Sequence, residues 1–331
     1  MTTVFQAEWK GDLAPYSYEQ ERLREAGIAF SAATCANAAE LVERARDAEI
    51  LWLEWTPHVT REILGALGRC ELVIRWGVGF EQIDIAAATE LGVAVANVPT
   101  WCEPDVVEHT IGLLLAVCRC IPQRNALLHN GGWRSPPVEY RRLSGKTIGV
   151  VGLGRIGSGV AKLAVALGCR VLGHDIRAPE NPINGVSTVG LDQLLLESDV
   201  VCLHVALQPG TRHLIDERAL GLMKQDAILL NLSRGPVIDE ASLTRALEAG
   251  KFFGVGLDVF EEEPLPPDSP LRRIERAVLS PHQASNSPES LADLRHQICD
   301  ETIEWATTGW TRAVVNPEVT PRHAPFRARR Q

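Results

Sequence analysis

The chain has 331 residues, of which 45% are hydrophobic and 23% charged, the composition of an ordinary globular protein with room for two cored domains. A formal net charge of −9 and a pI near 5.6 argue against nucleic acid or an anionic membrane as the main partner. No apolar run is long enough to cross a bilayer, Ile111 to Val117 being too short, and Met1-Thr2-Thr3-Val4-Phe5 lacks the basic start and long apolar run of a signal peptide. The eight cysteines are scattered without zinc-ligand spacing, which reads as the reduced, buried thiols of a cytoplasmic protein with no metal site.

Up to about residue 99, short apolar runs alternate with amphipathic stretches. Ile50-Leu51-Trp52-Leu53, Leu72-Val73-Ile74-Arg75 and Ala94-Val95-Ala96 read as buried parallel strands. Between and before them, Tyr18 to Ala26, Ala38 to Ala48, Thr60 to Leu67 and Ile85 to Leu91 carry helical patterns, so this part is built of βαβ units. Asn97-Val98-Pro99 ends it, since proline cannot continue a central strand. Pro104 to Cys120 then reads as one long, mostly apolar helix, and Gln123 to Ser144 as a polar, glycine-bearing excursion that carries Trp133.

The second half opens on Thr147-Ile148-Gly149-Val150-Val151, a buried strand, followed by Gly152-Leu153-Gly154-Arg155-Ile156-Gly157 and a helical continuation. Gly152 makes the tight turn, Gly154 lets a pyrophosphate approach the backbone, and Gly157 permits close helix–strand packing. The helix that begins there offers unpaired N–H groups to the same pyrophosphate. The loop residues Gly152, Gly154, Arg155, Ile156 and Gly157 are therefore candidate dinucleotide contacts. Asp175, after the strand Arg170 to His174, sits where a carboxylate would take the adenosine ribose diol, which favours NAD over NADP. Further strands at Val200 to His204, Ala227 to Asn231, Gly254 to Asp258 and Ala277 to Ser280 bring this set to six. An amphipathic helix from Pro288 to about Thr307 leads to Val314-Val315-Asn316-Pro317, where the chain returns to pack on the first domain. The arginine-rich stretch after Pro321 reads as a disordered tail.

In open α/β sheets ligands bind beyond the carboxyl ends of the strands. Arg234 follows the fourth of the six, Asp258 ends the fifth with Glu263 five residues on, and His282 follows the sixth. A guanidinium there can hold a carboxylate through two parallel hydrogen bonds. A histidine backed by a carboxylate is a general acid–base with a fixed tautomer. By the same reasoning His204 lines the cofactor cleft, Trp55 is a candidate border of the substrate, His109 reads as structural, and Glu261 and Glu262 read as a solvated face.

Taken together, Arg75-Trp76-Gly77-Val78-Gly79, Val107-Glu108-His109-Thr110, Gly145 to Gly149, the glycine triplet, Leu230 to Gly235, Leu257 to Pro264 and Ser280-Pro281-His282 resemble the D-isomer-specific 2-hydroxyacid dehydrogenases over nearly the whole chain. Asn97 to Cys102 and Gly131-Gly132-Trp133 look most like the branch related to C-terminal binding protein. The fold that the resemblance implies is α/β with two doubly wound parallel-sheet domains. A Rossmann NAD-binding domain, residues 100–286, would be inserted into a flavodoxin-like substrate domain formed by 1–99 and 287–331. The implied activity is reversible NAD-linked interconversion of a 2-oxo acid and a D-2-hydroxy acid. Arg234 would bind the substrate carboxylate and carbonyl, His282 would exchange the proton with the C2 oxygen, and Glu263 would back His282. Asp258 would meet the nicotinamide carboxamide, and the Val78 and Gly79 amides would hold the substrate carboxylate. A homodimer embracing through the 123–144 excursion is implied too. The chain departs from the family at Glu81-Gln82, where aspartate and asparagine are usual, and at Ala206, where proline is common. Alternatives are an NAD-dependent dehydrogenase of another small anion, such as a phosphonate, and a dinucleotide-sensing interaction or corepressor-like protein. The Arg234, Glu263 and His282 set favours an enzyme.

Overall fold

A computed structural model describes residues 2–8, 15–54, 57–133, 139–177 and 182–322. Trp55 and most of the arginine-rich tail lie outside the described residues. The chain divides into two compact units, 1–102 with 287–331 and 103–286.

The first unit begins with β1 (Thr3–Glu8), α1 (Ser17–Glu25), β2 (Ala29–Thr34), α2 (Ala38–Ala45) and β3 (Ile50–Leu53). It continues with α3 (Arg61–Ala66), β4 (Leu72–Arg75), α4 (Ile85–Glu90) and β5 (Ala94–Ala96). All strand pairs are parallel, in the order β2-β1-β3-β4-β5, the flavodoxin-like arrangement. Strands buried on both faces send alternate side chains to opposite cores. Leu51, Leu53, Val73 and Val95 face the layer of α2, α3 and α4, whereas Ile50, Trp52, Ile74 and Ala96 face the other side. β1 and β2 are absent from the sequence-based reading: Gln6 and Glu8 interrupt the apolar run of β1, and the edge strand β2 is alanine-rich, interrupted by Ser31, and only half-buried.

The second unit holds α5 (Glu103–Arg119), α6 (Ile121–His129), β6 (Thr147–Val151), α7 (Arg155–Ala166), β7 (Arg170–His174) and β8 (Val186–Thr188). After these come α8 (Leu191–Glu197), β9 (Val200–Leu203), α9 (Glu217–Leu222), β10 (Ile228–Asn231), α10 (Glu240–Glu248), β11 (Gly254–Leu257) and β12 (Ala277–Leu279). The parallel sheet runs β12-β11-β10-β9-β6-β7-β8, so it has seven strands rather than the expected six. The extra one, β8, is three residues long and largely exposed, too short and polar to carry a strand pattern. The excursion also begins as a helix, α6, none of whose residues is buried. Val201, Leu203, Leu229, Val255 and Leu257 pack with residues of α8, α9 and α10, while α5 and α7 contact the sheet and each other. The order reverses at β6, which pairs with β7 on one side and β9 on the other. A crevice for ligands opens at such a switch point.

The chain rejoins the first unit through α11 (Pro288–Thr308). A capping box between Ser287 and Ser290 starts this helix, and Gly309, at φ 78°, ends it. Its Thr302 hydroxyl accepts from Trp52 Nε1 at 2.9 Å. Farther on, fully buried Asn316 accepts from Val95 N and donates to Val93 O, at 2.8 and 3.0 Å. These bonds fasten the C-terminal segment to β3 and to the strand end at β5.

Candidate active site

The glycine loop between β6 and α7 is shaped by three different constraints. Gly152 has φ 92°, and a Cβ there would lie 2.5 Å from the His204 carbonyl oxygen. A Cβ on Gly157 would lie 1.9 Å from the Gly152 carbonyl oxygen, so close packing of α7 on the loop demands glycine. Gly154 has extended backbone (φ −65°, ψ −167°), and a Cβ there would meet nothing within 4 Å. The protein itself has no need of glycine at 154, and the missing side chain leaves the approach to the first turn of α7 open. Asp175, at the end of β7, accepts from Leu153 N at 2.7 Å and from Arg177 N at 2.9 Å, so this carboxylate also braces the loop.

His204 follows β9. Burial pushes its imidazole down to about 4, so the ring is neutral at ordinary pH. Its Nε2 is buried and has no hydrogen-bond partner among the described residues. An orphaned polar atom beside a glycine cradle fits a polar cofactor. Arg155, on the first turn of α7, pairs with Glu103 at 3.3 Å, and Ile156 follows it in the same turn.

Past β10, the turn is wired by buried Asn231. Its Oδ1 accepts from Ser233 N and Oγ at 3.0 and 2.7 Å, and its Nδ2 donates to Arg234 O at 2.9 Å. Arg234 Nη1 donates to Ser233 O at 2.8 Å. A Cβ on Gly235 would sit 1.8 Å from the Phe260 carbonyl oxygen, so the absence of a side chain at 235 lets the loop after β10 touch the loop after β11. That contact brings the Arg234 charge to bear on Glu263.

Glu263 and His282 complete the edge. His282 Nδ1 lies 2.6 Å from Glu263 Oε2, and Glu263 Oε1 accepts from Phe260 N at 2.9 Å. Burial works to raise the Glu263 carboxyl, but the bonds from His282 and Phe260 and the charges of His282 and Arg234 outweigh it and hold it below its usual range. An ionised carboxylate only accepts, so Nδ1 carries the hydrogen and Nε2 is the basic nitrogen of the neutral ring. His282 has φ 51°, a left-handed conformation uncommon outside glycine. Buried Asp258 accepts from the backbone N–H groups of Gln283 and Ala284, each at 3.0 Å, and from the Ser280 hydroxyl at 2.6 Å.

Two side chains have partners that their local patterns do not signal. Glu261 is exposed, as its pattern suggests, but its Oε1 is also 2.5 Å from His213 Nε2, and its N–H donates to Glu240. His109 reaches Ser280 Oγ at 3.0 Å from α5. Neither contact has a local signal, because each joins segments far apart in the chain.

In the first unit the loop after β4 is pinned by Asn97 Nδ2, which donates to Val78 O at 2.6 Å, and by Val98 N, which donates to Gly77 O at 3.0 Å. Val78 is 37% exposed. The atypical Gln82 donates to Glu54 O at 2.9 Å. Glu54 is a residue that sequence reasoning passed over. Burial and the Glu8 charge push its carboxyl up to about 7, against the lowering influence of Arg75. Glu8, at the end of the unrecognised β1, bonds the Tyr16 hydroxyl.

Residues 111–284 match the family model described as D-isomer specific 2-hydroxyacid dehydrogenase, NAD binding domain. The chain belongs to the D-isomer specific 2-hydroxyacid dehydrogenase family. Its architecture, a flavodoxin-like unit interrupted by a Rossmann unit, is the family's, and the protein is an NAD-dependent oxidoreductase acting on a CH–OH group. Over 254 residues it is 41% identical to D-3-phosphoglycerate dehydrogenase of Methanocaldococcus jannaschii, covering 76% of this chain and 48% of that one. It thus spans about half the length of that relative. Against glyoxylate reductase of Korarchaeum cryptofilum it is 36% identical over 291 residues, 86% of this chain and 88% of the other. A solved structure of D-lactate dehydrogenase from Aquifex aeolicus, complexed with NAD and lactic acid, has a TM-score of 0.83 at 28% identity, covering 93% and 96% of the two chains.

The glycine loop of this family member generates a paired prediction. Gly154→Ala should leave thermal unfolding within about 0.5 kcal/mol of the parent but weaken NADH binding, read by fluorescence titration. Gly157→Ala should destabilise by about 1–3 kcal/mol, because the loop or α7 must shift. Equal effects of the two on stability would contradict this division of roles. Glu263 generates a second prediction, through pH. Its folded value lies below a carboxylate's ordinary 4.5, so its contribution to stability is present above that pH and is lost as pH falls through and below it. Urea unfolding should therefore show Glu263→Gln least different from the parent in acid and most different near neutrality. A gap that widens on acidification would contradict the assignment.

Proposed function

We propose that the protein reversibly reduces a small 2-oxo acid to a D-2-hydroxy acid with NADH. The observation that carries this reading is the 2.6 Å contact between His282 Nδ1 and Glu263 Oε2 on the same strand edge as Arg234 and the glycine loop. Bound NADH supplies the hydride that reaches C2. Gly152, Gly154, Arg155, Ile156 and Gly157 would hold its pyrophosphate, Asp175 would take the ribose diol, His204 would offer its buried Nε2, and Asp258 would serve the carboxamide. The Asp175 carboxylate disfavours the extra phosphate of NADP through like-charge repulsion.

Arg234 holds the substrate carboxylate and polarises its carbonyl, stabilising charge that develops on the C2 oxygen. His282 passes the Nε2 proton to that oxygen during reduction and takes it back during oxidation. Glu263 keeps the hydrogen on Nδ1, so that Nε2 is the nitrogen that gives and takes the proton. Val78 and Gly79 offer backbone amides suited to a carboxylate in the first unit, which serves as the substrate domain, while the second serves as the NAD domain. The names of the relatives, glyoxylate reductase and D-3-phosphoglycerate dehydrogenase, support a small, anionic 2-oxo acid.

The working form is a cytoplasmic homodimer. Exposed Ile121 and Leu128 on α6 and Trp133, 84% exposed beyond it, support an interface at that segment.

The test is steady-state NADH oxidation across a panel of 2-oxo acids, with His282→Asn beside the parent. Asparagine keeps a polar group of similar size but cannot deliver a proton. Turnover should fall by about 10²–10⁴-fold, with NADH affinity nearly unchanged. Near-parental turnover in His282→Asn would overturn the assignment.

A further inference from the structure

Asp258 does more in this structure than end a strand. It is 1% exposed, and its carboxylate accepts three protein donors. Oδ1 takes the Ser280 hydroxyl at 2.6 Å and Gln283 N at 3.0 Å, and Oδ2 takes Ala284 N at 3.0 Å. Its backbone carbonyl takes His282 N at 2.8 Å. One residue thus grips four groups of the 280–284 segment. In the middle of that segment stands His282 at φ 51°, a conformation that a side-chain-bearing residue keeps only where its surroundings impose it.

A buried carboxylate is kept only where its oxygens are well supplied with donors. Among the described residues, the only basic side chain within 4 Å of Asp258 is His109, whose Nε2 lies 3.7 Å from Oδ1. It is closer, at 3.0 Å, to Ser280 Oγ. The serine hydroxyl has a single proton, and the short contact to an acceptor-only carboxylate claims it. The hydroxyl oxygen must then accept from His109, so His109 carries its hydrogen on Nε2. The chain of donation runs one way, from His109 to Ser280 to Asp258.

We propose that His109 is a positioning residue for the reaction: through the Ser280 hydroxyl it fixes the Asp258 carboxylate that holds the His282 loop. The proposal rests on the reading of His282 as the acid–base group. It gives the segment two histidine–carboxylate devices of different kind. Glu263 touches the His282 ring and governs its proton; His109 and Asp258 act on the backbone that carries the ring. α5, which supplies His109, packs on β10, β11 and β12, so the anchor belongs to the rigid layer of the unit rather than to another loop. Misplacement of a reacting group by about 1 Å can cost on the order of 10²-fold in rate, and a partial loosening should cost less.

The experiment compares His109→Leu, His109→Gln and His282→Asn with the parent, using NADH and glyoxylate as probes. In His109→Leu, kcat should fall on the order of tenfold, with NADH affinity and the pH at which reduction falls off in alkali unchanged, because the Glu263 contact is intact. The glutamine amide can still donate to Ser280, so His109→Gln should recover most of kcat. Parental kcat in His109→Leu would overturn the proposal. So would equal losses in both His109 variants matched by equal losses of thermal midpoint, the mark of a merely structural role. A readout independent of turnover is the nitrogen NMR spectrum of the imidazoles. His109 should appear as the Nε2–H tautomer, and the Nδ1–H tautomer would overturn the proposal. If His282→Asn keeps full turnover, or the parent turns over no 2-oxo acid, the functional reading itself fails, and the tautomer alone then decides the His109 contact.

Discussion

The hydrogen bond between His282 and Glu263 depends on two loops from neighbouring strands arriving in register. Glu263 comes six residues after the end of β11, and His282 comes three after the end of β12. Their meeting at 2.6 Å needs the parallel β11–β12 pairing from Val255–Ala277 to Leu257–Leu279. It also needs the close approach at Gly235 and the Asp258 grip on the 280–284 segment. A carboxylate that is partly desolvated would otherwise rise in pKa and lose its charge; the two hydrogen bonds and the positive charge of Arg234 reverse that tendency. The electrostatics and the backbone geometry therefore stand or fall together.

The same edge of the sheet shows how one architecture separates binding from chemistry. At the switch point beside β6, backbone dominates: three glycines, the start of α7 and a bracing carboxylate at Asp175. On the β10–β12 side, side chains dominate, and each is held by a neighbour that does no chemistry itself. Asn231 shapes the Arg234 turn, Phe260 N–H orients Glu263, and Asp258 secures the His282 backbone. The supporting residues are buried, Asn231 and Asp258 each committed to several hydrogen bonds, where the acting ones are partly exposed, the pattern expected where geometry must be kept while a ligand enters and leaves.

Much of this was legible from residues alone, for reasons that differ by element. The β6–Gly152–α7 unit announces itself because turn, pyrophosphate approach and packing each require glycine at fixed spacing. Arg234, Glu263 and His282 could be picked out because strand ends are where ligands bind, and the family resemblance supplied their pairing. β1, β2 and β8 escaped notice because polar or edge strands lack a continuous apolar run; losing β1 also hid Glu8, and with it the surroundings of Glu54. The contacts of His109 and Glu261 escaped notice for another reason. Their partners, Ser280 and His213, lie 171 and 48 residues away, and no local pattern encodes such a contact. Fold followed from periodicity; the wiring of the site followed only from three dimensions.

The central claim is that Glu263 fixes the proton arrangement of His282, and the nitrogen NMR spectrum of the His282 ring in the ligand-free protein tests it most directly. The account predicts hydrogen on Nδ1, a strongly deshielded Nδ1 proton from the bond to Glu263, and loss of that proton signal in Glu263→Gln with the rest of the spectrum little changed. A His282 ring found as the Nε2–H tautomer, or an Nδ1 proton signal indifferent to Glu263→Gln, would contradict it.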